Sequence, residues 1–279
     1  MNSTAPIGLL AGSGRFPIVF AEKAKSLGRP VVCVGIKNEA SESLIPLVEG
    51  FYWAGVAKLG RMIHCFKAAG CREIVMAGKI DKKNHIYAPM RFFNLLPDWR
   101  GMQAYFFRRR DNRDDTLLLQ VIDEFAKDGL RFASALDYCP ELLVKDGVLT
   151  KRGLSAFEAE DVNFGWEVAK EMGRLDVGQS VMVYDKSIIA VEAIEGTDRA
   201  IGRAGELCRR GGFTVVKVAK PQQDMRFDVP TVGVTTIESI HKAGGRVLAI
   251  ETGKTIVIDE AETISLANRC GITIVARAA

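Results

Sequence analysis

Short apolar runs alternate with amphipathic stretches along this chain, and glycines close many of the joints. No other feature narrows the fold as far. "PIGLLAG", "PVVCVGI" and "EIVMAG" have the length and apolar character of buried strands. Between them, "FPIVFAEKAKSLG" and "LGRMIHCFKAAG" repeat apolar residues at helical spacing and end in Gly28 and Gly70. Strands separated by helices with short connections imply crossovers, and crossovers imply a parallel sheet. A further helix is expected over about 114–128, closed by Gly129, with Asp114 and Asp115 favouring its start.

From about 134 to 160 the periodicity weakens, and the alternation then restarts. "DVNFGWEVAKEMGRL" reads as a helix, and "SVMVYD" and "SIIAVEAIEG" as strands around a "DKS" turn. Helix "TDRAIGRAGELCRRGG", strand "FTVVKVAK", helix "TTIESIHKAGG" and strands "RVLAIE" and "TIVID" follow. Helix "EAETISLANRCG" and strand "ITIVA" complete the pattern. The expected fold is α/β, two α/β domains joined by a linker. An amino-terminal Rossmann-like domain with a parallel sheet spans 1–135, a linker 136–158, and a carboxy-terminal α/β catalytic domain 159–279. A cleft between domains is a common place for a ligand.

Composition excludes several classes. A net charge of +4 with acids and bases interspersed does not call for nucleic acid, and no zinc-finger or RNA-binding spacing is present. None of the six cysteines sits in a CxxC pair, so reduced thiols and a cytoplasmic protein are expected. No signal-peptide pattern or membrane-spanning run is read from the sequence. The basic, aromatic stretch "RFFNLLPDWRGMQAYFFRRR" suits a core helix or a peripheral contact with lipid.

Three stretches carry candidate chemistry. In "LLAGSGRFP", Gly12, Ser13 and Gly14 turn the chain from strand to helix, where backbone amides can meet phosphate. Lys79 is expected at the same sheet edge. Pro17 replaces the third glycine of a dinucleotide fingerprint, and no acid clearly ends the second strand, which counts against a nicotinamide oxidoreductase. In "AVEAIEGTDRAIGRAG", Glu192 and Glu195 close a strand, Gly196 permits a bend, and Thr197 and Asp198 open a helix. Capping accounts for one of these polar groups; the rest mark a ligand site.

In "KPQQDMRFDVPTVG", Lys220, Gln223, Asp224, Arg226 and Asp228 crowd one loop, with Lys217 just before it. As plain surface chemistry, Asp224–Arg226 and Asp228–Lys220 would be ion pairs stiffened by Pro221 and Pro230. As a phosphate site, the cations would clamp oxygens while the carboxylates hold a divalent metal. No nucleophile elbow, HExxH or Walker loop competes with this reading.

"GLLAGSGRFP", "IVMAGKI", "LDVGQSVMV", "AVEAIEGTDRAIGRAGEL", "KVAKPQQDMRFDVPTVGVTTI" and "ETGKTIVID" resemble successive signatures of the LpxI-type UDP-2,3-diacylglucosamine pyrophosphatases. The resemblance covers nearly the whole chain. It implies Mg²⁺-dependent hydrolysis of UDP-2,3-diacylglucosamine to UMP and 2,3-diacylglucosamine 1-phosphate in lipid A biosynthesis, with water directed at the sugar-side phosphorus. It also implies two α/β domains with substrate between them, often as a dimer, so a homodimer is expected; peripheral contact with the inner face of the inner membrane is a separate expectation, from the aromatic, basic stretch.

The essential aspartate of that family lies in an R-x-D-[LV]-P element, here "RFDVP", so its role carries to Asp228. Asp224 stands where an acid recurs and is the second metal candidate. Arg226, Lys220 and Lys217 would then stabilise anionic oxygens. The aromatic region 92–107 would receive acyl chains. Two positions depart from the family pattern: Arg113 stands for glycine before the "DD" pair, and Thr252 for alanine in "ETGKT". A non-catalytic sensor of a nucleotide lipid would keep the same glycine turn and cations while releasing no UMP.

Overall fold

The computed structural model describes residues 5–80, 97–103, 114–226 and 228–278, with 114–117 as backbone only. The chain divides into two compact units, Met1–Cys139 and Pro140–Ala279.

The first unit carries strands β1 (Ile7–Ala11), β2 (Val31–Ile36), β3 (Gly50–Ala54), β4 (Glu73–Ala77) and β5 (Arg131–Ala133). They pair in the order β3-β2-β1-β4-β5, every pairing parallel. This is the Rossmann-like parallel sheet expected from the sequence. Helices α1 (Phe16–Ser26), α2 (Leu59–Ala68), the single turn α3 (Trp99–Met102) and α4 (Asp114–Ala126) belong to the same unit. Its core includes strand residues Leu9, Val34 and Ile74 and the aromatic Phe20, Phe66 and Phe125, none of them exposed to solvent. Strand β3 escapes the apolar-run reading because "GFYWA" is an edge strand with Tyr52 open to solvent.

The second unit has a mixed sheet ordered β6-β13-β11-β9-β7-β8. Its strands are β6 (Gly147–Val148), β7 (Ser180–Tyr184), β8 (Ser187–Val191), β9 (Thr214–Lys217), β11 (Val247–Glu251) and β13 (Thr273–Arg277). Strands β9, β11 and β13 run parallel, whereas β7, β8 and β6 add as antiparallel neighbours. Two further short strands, β10 (Thr231–Val232) and β12 (Ile256–Val257), pair parallel with each other. Part of the stretch read as a linker joins this architecture: β6 pairs with β13, and Leu143 bridges Ile256.

The period-two alternation of the strands sorts their side chains onto two faces. Val181, Val183, Val216, Val247 and Ala249 meet Val162, Trp166 and Ala169 of α5 (Ala156–Arg174). Met182, Val215, Leu248, Ile250 and Ile274 cluster with residues of α6 (Thr197–Leu207), α7 (Val234–Ala243) and α8 (Glu260–Cys270). Helix α5 opens with a capping box in which Ser155 and Glu158 satisfy each other's backbone N–H.

One turn further along α5, Asp161 is buried, at 1% exposure. Its carboxylate accepts the backbone N–H of Asp185 at 3.1 Å and of Lys186 at 2.7 Å. Those two residues form the β7–β8 turn with φ of 51° and 53°, a conformation that favours glycine or asparagine. The carboxylate therefore holds Lys186, a residue without glycine's freedom, in a left-handed conformation within the expected turn. Replacing Asp161 with Ala should destabilise the fold by about 2–4 kcal/mol, because two charge-assisted hydrogen bonds are lost. Asp161→Asn, which keeps one acceptor, should cost less; urea denaturation of both variants tests the order.

Candidate functional site

Polar side chains of the second unit converge where its parallel strands end. Lys217 is the last residue of β9 and lies opposite Ser180, the first residue of β7. Glu192 follows β8 and donates its N–H to Ser180 O at 2.8 Å. Glu251 ends β11, next to β9. In open α/β sheets, the carboxyl ends of parallel strands are the usual ligand edge.

Lys217 is only 4% exposed, so its ammonium depends on protein partners. It donates to Thr197 Oγ1 at 3.2 Å and to Thr231 O at 3.1 Å. Thr197 Oγ1 donates onward to Glu192 Oε1 at 2.9 Å, with Ser180 Oγ 3.4 Å away. Thr197 opens α6 after Gly196, whose φ is 85°. The capping reading of Thr197 and Asp198 is corrected here: Gly196 is the N-cap, no side chain caps the helix, and the threonine hydroxyl serves the Lys217–Glu192 pair. Asp198 is exposed.

Glu195 pairs with Arg203 at 2.5 Å. Its own backbone N–H and then the Arg203 guanidinium hold its carboxyl below the ordinary range. Among the described residues, the buried side-chain atoms without a hydrogen-bond partner include Glu192 Oε2 and Gln223 Nε2.

The loop after β9 is tightly bonded. Ala219 N donates to Glu251 Oε2 at 2.8 Å, and Lys220 N to Gln223 Oε1 at 2.8 Å. The Lys220 ammonium lies 2.7 Å from Asp176 Oδ1. Arg226 grips both oxygens of Asp224, the closest approach being 2.6 Å. Those hydrogen bonds keep the Asp224 carboxyl below its ordinary range. Asp228 is half-buried and donates its N–H to Asp224 O at 3.0 Å, so one turn carries both aspartates.

In the first unit, β1 stands between β2 and β4, the topological switch point of the sheet. The glycine turn and Lys79 meet there. Ser13 N donates to Lys79 O at 2.7 Å, Lys79 N to Ser13 O at 3.0 Å, and Ser13 Oγ to Lys79 O at 2.8 Å. Gly12 N donates to Ala77 O. The amides of Gly12 and Ser13 are thus committed to the protein, which alters the expectation of an open amide cradle over 12–14. A Cβ at position 12 would sit 2.5 Å from Lys79 O, so glycine permits this contact.

Sequence reasoning passed over Glu251, Lys170, Ser180 and Asp176. Glu251 carried a usable signal: like Glu192, it is a charge at the end of an apolar run. Thr252, one of the two departures from the family pattern, donates its hydroxyl to Asp146 Oδ1 at 3.3 Å. Arg113, His85 and most of 92–107 lie outside the described residues. His64 is exposed on α2, and His241 lies in the last turn of α7. None of the six cysteines is in a disulfide, and burial pushes the Cys33 thiol up to about 12. Among the described residues, no helix is long and apolar enough to cross a membrane.

These features define a two-unit α/β protein with a polar site at the carboxyl ends of its second sheet. Residues 6–142 match the LpxI N-terminal domain and residues 145–275 the LpxI C-terminal domain, and the chain belongs to the LpxI family. It is 31% identical over 277 residues to the UDP-2,3-diacylglucosamine pyrophosphatase LpxI of Caulobacter vibrioides, covering 95% of both chains. Among solved structures it aligns with the biotin carboxylase subunit of pyruvate carboxylase at 15% identity and a TM-score of 0.24, covering 74% of this chain and 42% of that one. A biotin carboxylase domain of the Hydrogenobacter thermophilus 2-oxoglutarate carboxylase aligns at 14% identity and a TM-score of 0.25, covering 75% and 42%.

The Asp224–Arg226 pair has a pH signature. A carboxyl depressed in the folded state contributes stability above its unfolded value, near pH 4, and loses it as pH falls through the folded value. Arg226→Ala should raise the Asp224 carboxyl pKa toward the ordinary range, as read by carboxyl-carbon NMR titration. The stability difference between variant and parent should be present above about pH 4 and shrink below it.

Proposed function

We propose that this chain hydrolyses the pyrophosphate bond of UDP-2,3-diacylglucosamine, giving UMP and 2,3-diacylglucosamine 1-phosphate in lipid A biosynthesis. One observation carries the reading: both halves match LpxI domains in order, with a named pyrophosphatase similar over 95% of the chain. The enzyme is a diphosphatase, and Asp228, in "RFDVP", is its catalytic carboxylate.

In this mechanism water forms a new bond to the sugar-side phosphorus while the bridging P–O bond breaks. The bridging oxygen leaves with UMP. Asp228 accepts the proton of the attacking water. Asp224, tied to Arg226, keeps that guanidinium beside the reacting turn, where it offsets phosphate charge. Lys220 supplies a second cation on the same loop. The Lys217–Thr197–Glu192 chain orients substrate, and the partnerless Glu192 Oε2 and Gln223 Nε2 offer it one acceptor and one donor. Lys79, with Gly12, Ser13 and Gly14, is the substrate-binding candidate of the first unit; Glu195, Gly196 and Asp198 are further candidates of the second.

The donors fit a magnesium ion carried by the substrate. Among the described residues no group of three or more His, Cys, Asp or Glu could form an all-protein cage. Mg²⁺ commonly takes one or two carboxylates, with water and substrate phosphates completing its shell. Asp228 and Asp224, hard oxygen donors on one turn, would hold it. Bound there, the ion would neutralise pyrophosphate charge and acidify water. A cytoplasmic homodimer touching the inner face of the inner membrane is part of the same reading.

Hydrolysis in ¹⁸O-water should place the label in 2,3-diacylglucosamine 1-phosphate and leave UMP unlabelled. Label in UMP would overturn the direction of attack. Asp228→Asn should lower kcat by about 10²–10⁴-fold, the span of general-base contributions. Near-parental turnover at saturating Mg²⁺ would remove Asp228 from the chemistry. Absence of UMP release by the parent protein, despite substrate binding, would instead favour a sensor.

A further inference from the structure

The loop bearing Asp224 and Asp228 begins at a buried clamp. Glu251 is 3% exposed, and one of its oxygens, Oε2, accepts both Ala219 N at 2.8 Å and the Lys170 ammonium at 2.7 Å. The same ammonium donates to Ala219 O at 3.2 Å. The N–H and the carbonyl of Ala219 are therefore both held by one ion pair, just after the chain leaves β9.

The far end of the loop rests on the same segment. Thr255 N donates to Glu251 O at 3.1 Å, and Ile256 N donates to Pro230 O at 2.8 Å. Thr231 and Val232 then pair with Ile256 and Val257. Segment 251–257 thus fixes where the loop starts and where it ends. Simple stabilisation of β11 would not require its terminal carboxylate to reach across to a neighbouring peptide and a lysine of α5.

We propose that Glu251 is a positioning residue for hydrolysis, acting through Lys170 and the Ala219 peptide to hold the turn of Asp224 and Asp228 in register. The proposal rests on the reading of Asp228 as the catalytic carboxylate. Its physical basis is the steep dependence of rate on placement, where an error of about 1 Å can cost about 100-fold.

The test uses full-length Glu251→Ala, Glu251→Gln and Lys170→Met, with Asp228→Asn as a control. Release of UMP from UDP-2,3-diacylglucosamine gives kcat and KM, circular dichroism reports folding, and limited trypsinolysis reports the loop through cleavage after Arg226. Glu251→Ala should lower kcat roughly 10- to 100-fold with KM changed less than about threefold. Cleavage after Arg226 should rise at least about threefold relative to other sites, as local opening becomes easier. Glu251→Gln keeps an oxygen for Ala219 N–H and should recover much of both effects. Lys170→Met should reproduce the same pattern more weakly.

If Glu251→Ala does not fold, Lys170→Met carries the test with the same criteria. Parental kcat in folded Glu251→Ala, or in Lys170→Met where Glu251→Ala does not fold, would overturn the proposal, as would a rise in cleavage spread evenly over the chain. An active Asp228→Asn would instead overturn the catalytic reading beneath it, and the trypsin pattern would still decide whether Glu251 anchors the loop. An inactive Asp228→Asn beside a normal Glu251→Ala would sink the positioning role alone.

Discussion

A lysine ammonium leaves water only when protein groups replace its hydration, and Lys217 imposes that condition on the second unit. Its donors end on a threonine at the start of α6 and on the carbonyl of Thr231. The threonine passes the demand to Glu192, at the end of β8. One buried charge thereby ties β9, α6, β8 and the return of the loop to the sheet. The order of strands makes this affordable: Ser180 and Lys217 are direct neighbours in register, and Glu192 bonds back to Ser180. A polar knot thus sits at the edge of a sheet whose two faces pack into apolar clusters.

The two sheets solve the edge problem differently. The first is parallel throughout, and at its switch point the backbone of Ser13 and Lys79 closes on itself. The second opens its parallel centre to antiparallel neighbours, so β8 and β7 bring residues from opposite strand directions to one edge. That mixture is why Glu192, from the end of one strand, and Ser180, from the start of another, sit beside Lys217. A purely parallel sheet would bring only strand ends of one kind together.

Much of this was legible in the chain. Apolar runs with helical stretches between them gave the Rossmann-like sheet, and the "DKS" turn lies between β7 and β8. Family signatures marked "RFDVP". Strand β3 was hidden because an edge strand needs only one buried face, and "GFYWA" lacks a continuous apolar run. The true partners of charged residues were also hidden. Lys220 meets Asp176, far away in sequence, and Glu251 meets Lys170 across the sheet. Sequence spacing records neighbours along a strand or helix; it does not record which strand end faces which helix. The glycine turn was legible as a turn, but the commitment of its amides to Ala77 and Lys79 depends on β1 and β4 being adjacent.

Helix α5 gains a special status from its contacts at both ends. Near its start, Asp161 grips the β7–β8 turn. Near its finish, Gly173 O accepts from Gln222, and a Cβ at 173 would lie 3.2 Å from Lys220 Cα. Lys170 lies between, bound to Glu251. The helix is therefore a ruler with marks at fixed angles. Adding or removing one residue between 161 and 173 would swing one set of marks by about 100° relative to the other. Its length is locked.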